Sequence, residues 1–144
     1  TMREGFARAT WAGRFEIKKA LDRTFIFDGA HNAAGAESFG MTYHELFGET
    51  PKTMVMAILS DKDEMGIIHE VVKPKDTVIA EVPEKLVETV RQCVKGVVAQ
   101  TEDSVSRALD LALQSTQDGD IIVVCGSLYI LGEARGWLQN RMSH

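Results

Sequence analysis

Apolar residues follow two alternating patterns along this chain. Short, nearly continuous apolar runs occupy Thr24–Phe27, Thr53–Leu59, Thr77–Val82, Gly96–Ala99 and Ile121–Cys125. Unbroken runs of this length are what strands covered on both faces need, as in a parallel sheet. Phe15–Lys18 is a further, more exposed candidate for an edge. Between the runs, apolar residues return every third or fourth position. Ala36, Phe39, Tyr43 and Leu46 make one stripe, Met65, Ile68 and Val72 a second, and Leu86 or Val87, Val90 and Val94 a third. The cleanest stripe is Val105, Ala108, Leu109, Ala112 and Leu113, with Thr101 or Asp103 as its N-cap. A last helix starts near Leu128 and turns Leu131, Ala134 and Leu138 inward. Its Arg135 and Arg141 suit the negative end of a helix. Strand and helix alternate, which predicts an α/β fold: a Rossmann-like open, mostly parallel sheet of about six strands with helices on both faces.

Composition narrows the class. A chain of 144 residues is the size of one domain, and 44% hydrophobic residues suffice for a core. The net charge of −5, with no basic run interleaved with aromatics, argues against a nucleic-acid binder, which needs a positive field. No apolar run is long enough to span a membrane, so no membrane partner is expected. Cys93 and Cys125 sit far apart in apolar stretches and read as buried free thiols of a reduced compartment. The expected location is cytoplasmic. Trp11 and Trp137 read as packing residues, and His44, His69 and His144 as surface or partly packed ones.

In an open α/β sheet, ligands sit beyond the carboxyl ends of the strands, so the loops after the strands carry the candidate chemistry. The loop after Thr24–Phe27 reads Asp28-Gly-Ala-His-Asn32, followed by small residues. Asp28 can accept hydrogen bonds from a sugar hydroxyl pair, while His31 and Asn32 can project into the crevice. The alternative is that Asp28 and Asn32 only cap the helix. The loop Ser60-Asp-Lys-Asp63 offers Lys62 as a point charge for a carboxylate or phosphate, or else a solvated turn with Asp63 as N-cap. Gly126-Ser-Leu-Tyr129 brings backbone N–H groups and the Ser127 hydroxyl to a strand end, a generic anion-binding arrangement. Within Gly13-Arg-Phe-Glu16, Arg14 can meet a phosphate, or pair with Glu16.

Taken in order, these four segments resemble the C-terminal domain of folylpolyglutamate synthase / dihydrofolate synthase, in the Mur ligase superfamily. The resemblance runs from about Trp11 to the end. It implies residues 1–11 as an interdomain linker and 12–144 as the glutamate ligase domain, with the N-terminal ATPase domain missing from this chain. Family members form an acyl phosphate from ATP and the terminal carboxylate of a folate or dihydropteroate. The amino group of L-glutamate then displaces phosphate. The resemblance places Arg14 and Asp28 against ATP, with Asp28 near the ribose, and His31, Ser127 and Lys62 at the glutamate site. It puts the phosphate loop and most of the Mg2+ binding in the N-terminal domain, this domain's expected partner, so the isolated domain is expected to be inactive. Ala33 departs from the family's usual proline after Asp-Gly-Ala-His-Asn, which should shift the helix start only slightly. The alternative is a stand-alone, non-catalytic α/β module that binds a nucleotide or a protein.

Overall fold

The structure is a computed structural model that describes residues 15–57, 64–81 and 84–142, apart from the side chain of Tyr129. Six strands and five helices follow in order: β1 (Glu16–Ala20), β2 (Arg23–Asp28), α1 (Ala33–Phe47), β3 (Thr53–Met56), α2 (Glu64–Val71), β4 (Thr77–Glu81), α3 (Lys85–Cys93), β5 (Val98–Glu102), α4 (Val105–Ser115), β6 (Ile121–Cys125) and α5 (Tyr129–Met142). The sheet order is β1-β2-β6-β3-β4-β5. Only β1 runs antiparallel to its neighbour. The fold is the α/β class that the alternating pattern predicts.

The unbroken apolar strands are explained by two cores. Ile26, Met54, Met56, Val78, Ala80, Val123 and Cys125 face one side, against α1, α2 and α3. Phe25, Phe27, Val55, Ile79, Ile122 and Val124 face the other, against α4 and α5. Alternate side chains of one strand thus enter different cores, so every position must be apolar. Each large side chain removed from water contributes about 1.5–3 kcal/mol.

Several expectations need correction. The fourth apolar run begins later than its composition implies: β5 is Val98–Glu102, and Gly96 adopts φ 88° in the turn before it. As an edge strand, β5 tolerates Gln100 and Glu102, so polarity hides its carboxyl half. Thr101 therefore lies in a strand, and Ser104 is the N-cap of α4, accepting from the Arg107 N–H at 3.2 Å. Leu46 and Met65 are exposed, and Ile67 and Val71 complete the buried face of α2 instead. Cys93 is only partly buried, whereas Cys125 is fully buried. Arg141 does lie in the last turn of α5, where it pairs with Asp110 and stacks over the Trp137 ring at 4.3 Å, but Arg135 sits in the middle of the helix and pairs with Glu16. The extension of β3 to Leu59, the cap at Asp63, and Trp11 lie outside the described residues.

The β1–β2 hairpin turns on Leu21 and Asp22, both in the left-handed region at φ 52° and 63°. That twist suits a two-residue hairpin but strains non-glycine residues. Arg23 holds the turn in place. Its guanidinium donates to the carbonyls of Leu21, Leu113 and Thr116, and Gly119 N–H bonds the Asp22 carbonyl at 2.7 Å.

Candidate functional site

Adjacent strands β2 and β6 send their following helices to opposite faces: α1 joins one core and α5 the other. The loops that leave their carboxyl ends therefore diverge, one toward each layer, and the crevice of a doubly wound sheet lies between such loops, where the strand order reverses. Such a switch point is where open α/β sheets take ligands. Register pairs Asp28 with Cys125, and Cys125 with Met56, so the loops after β2, β6 and β3 all start at this level.

The first loop is tightly organised. Asp28 is only 4% exposed, and its carboxylate accepts from two backbone N–H groups. Ala30 N–H meets Oδ1 at 2.8 Å, and Phe15 N–H meets Oδ2 at 3.0 Å. The first bond folds the loop back on its own strand end, and the second ties in the segment that precedes β1. Backbone donors on both oxygens hold the carboxylate in one orientation. Asn32 caps α1, its side chain accepting from Gly35 N–H at 2.8 Å. The capping alternative thus holds for Asn32 but not for Asp28. Helix α1 starts at Ala33, directly after this cap.

His31 is exposed at the crest of the loop. Its Nδ1 lies 3.0 Å from the Gly29 carbonyl oxygen. A carbonyl only accepts, so Nδ1 carries the hydrogen in this contact and Nε2 faces outward for other use.

On β6, the chain leaves the sheet through Gly126 and Ser127. Gly126 has φ 114°, and a Cβ there would sit 2.5 Å from the Ala57 carbonyl oxygen. Only glycine lets β6 and β3 stay this close at their ends. Their pairing continues one step past the strands, from Ala57 N–H to the Cys125 carbonyl at 3.4 Å. Ser127 is buried, 5% exposed, whereas the next residue, Leu128, is exposed. The Cys125 thiol is pushed well above its usual range, first by burial and then by the Asp28 charge. It stays a neutral thiol beneath the site.

Asp28, at the end of β2, and His31 and Ser127, in the loops that follow β2 and β6, therefore lie at the same carboxyl edge of the sheet, on neighbouring strand–loop units. Arg14 and Lys62 lie outside the described residues. Reading side chains alone missed Phe15 and Ala30, which act through backbone N–H groups and leave no signal in a residue pattern. Among the described residues no group of three or more His, Cys, Asp and Glu is placed to hold a metal ion, and no helix is long and apolar enough to cross a membrane. A groove of about 510 Å³ opens at the opposite end of the sheet, between α1 and α2. Its floor is the buried ion pair of Lys52 and Asp76, 2.6 Å apart, with the ammonium 4.7 Å from the Tyr43 ring centre. That pair joins the amino ends of β3 and β4 and is remote from the crevice.

Comparison with known proteins decides the family. The family model described as the dihydrofolate synthetase C-terminal domain matches residues 14–137. This chain belongs to that family. It is 31% identical over 138 residues to a probable bifunctional folylpolyglutamate synthase/dihydropteroate synthase of Haloferax volcanii, covering 91% of this chain and 16% of that protein. Folylpolyglutamate synthase from Thermotoga maritima superposes with a TM-score of 0.73 at 28% identity, covering 96% of this chain and 33% of that one. The Mycobacterium tuberculosis folylpolyglutamate synthase complexed with ADP and AMPPCP gives 0.72 at 26%, covering 94% and 34%. A dihydrofolate synthetase C-terminal domain is thus about one third of each of these solved chains.

Proposed function

We propose that this domain is the closing half of an ATP-dependent amide ligase that adds L-glutamate to a folate or dihydropteroate. The observation that carries the reading is the convergence of the buried Asp28 carboxylate with Gly126 and Ser127 at the switch point of a family member's sheet. A relative of the same fold is a complex with ADP and AMPPCP, which supports nucleotide use by the full-length ligase. The residues fit such a group. A rigid carboxylate can accept from ribose hydroxyls, and the strand end at Gly126 is backbone that a ligand can approach closely.

In this reading the partner is the protein's own N-terminal ATPase domain, which supplies the phosphate loop. Mg2+, when bound there, neutralises the phosphates. The substrate carboxylate takes the γ-phosphoryl group of ATP as ADP leaves; the glutamate amino group then attacks the carbonyl carbon of the acyl phosphate, and phosphate leaves as the amine gives up a proton. Asp28 orients the ribose and Arg14 meets the phosphates. His31 Nε2, the Ser127 hydroxyl and the Lys62 ammonium hold glutamate, whose carboxylates need donors. Closing this domain on its partner aligns the amine and excludes the water that would hydrolyse the acyl phosphate. Such division of labour leaves the domain inactive alone. We assign the protein to the cytoplasm, where folate, ATP and glutamate meet.

The test is glutamate kinetics of the two-domain ligase. His31→Ala and Ser127→Ala should each raise the KM for glutamate by about tenfold, the worth of one hydrogen bond to a charged group, with little change for ATP. A glutamate KM unchanged in both variants contradicts the assignment.

A further inference from the structure

The residue that organises the nucleotide side of the crevice belongs to none of the polar motifs' expected contacts. Phe15 has φ 47°, a left-handed conformation that a non-glycine residue enters only under strain. Such a conformation persists only when its surroundings over-determine it. Three contacts do so here. The Phe15 N–H donates to Asp28 Oδ2 at 3.0 Å. Its ring lies 5.2 Å from the Phe39 ring on α1, tilted at 41°. The next residue, Glu16, is held from the opposite face of the sheet by Arg135 of α5, which also lies over the Phe27 ring. One dipeptide is thus clamped from both layers, and the N–H between the clamps is aimed at Asp28.

We propose that Phe15 is a positioning residue for nucleotide binding: its ring, wedged on Phe39, fixes the backbone N–H that orients the Asp28 carboxylate. This rests on the reading of Asp28 as a ribose contact. Without the wedge, the segment relaxes to ordinary φ values, the N–H swings away and Asp28 loses an orienting bond.

The experiment measures ATP KM, glutamate KM, kcat and melting temperature of the two-domain ligase. Phe15→Ala should raise the ATP KM about tenfold with kcat and glutamate KM within about twofold, and Phe15→Leu, which keeps an apolar wedge, should restore most of it. In an Asp28→Asn background, Phe15→Ala should add little further, because both changes remove the same bond. A purely structural role would instead lower the melting temperature and kcat with ATP KM intact, and that result overturns the proposal. If Asp28→Asn raises the ATP KM while Phe15→Ala does not, only the role of Phe15 fails. If Asp28→Asn itself leaves the ATP KM unchanged, the ribose reading fails and the proposal with it.

Discussion

Gly126 lies against Ala57 so closely that a single added methyl group would come within 2.5 Å of the Ala57 carbonyl oxygen. The contact seals β6 to β3 under the crevice, and its φ of 114° is one that side chains rarely adopt. Gly126→Ala should therefore lose more than about 1 kcal/mol of stability, since both the clash and the backbone angle oppose it. Urea unfolding checks this. A stability equal to that of the parent would mean that the strand ends separate freely.

The Lys52–Asp76 pair should behave as a buried one. Both side chains are 2% exposed, and Asp76 also accepts from the Lys73 and Lys52 backbone N–H groups. Asp76→Asn leaves the ammonium without its counter-charge and should cost about 3–5 kcal/mol. Because the groove above the pair is remote from the crevice, ATP and glutamate KM values of the folded fraction should not move. Denaturant unfolding and kinetics of the same preparation read both.

Alkaline pH should destabilise the fold in a predictable window. Burial, with the Asp28 charge second, raises the Cys125 thiol, and burial, with the Asp76 charge second, raises the Tyr43 phenol. Groups raised in the folded state contribute stability that is complete below their unfolded pKa values. That stability declines above about 8.5 for cysteine and about 10 for tyrosine, where the unfolded chain releases protons that the folded one retains. The melting temperature should be flat near neutrality and fall beyond that range. Cys125→Ala should flatten the first part of the fall.

The sheet was legible because its burial is two-sided: Phe25 and Ile26, neighbours in β2, enter opposite cores, so no polar residue could interrupt the run. β5 was misplaced because an edge strand carries no such demand, and Glu102 can end it. Loop chemistry was legible where it uses side chains, as at Asn32, whose amide caps α1. It was invisible where it uses the backbone. Nothing in the letters of Phe15 or Ala30 announces that their N–H groups hold Asp28. Likewise the Gly126-Ser127 pair suggested a backbone that binds anions, while the geometry adds a packing reason for the same glycine.

The central claim is that the Asp28 crevice is half of a nucleotide-dependent glutamate ligase site. Its most direct test is ATP-dependent incorporation of labelled glutamate onto dihydropteroate or folate by the two-domain protein carrying Asp28→Asn, an isosteric change that removes the charge and turns one accepting oxygen into a donor. The account predicts a clear rise in the KM for ATP, of about tenfold for one lost charged hydrogen bond, in a protein that still folds. Normal incorporation with an unchanged ATP KM would contradict it.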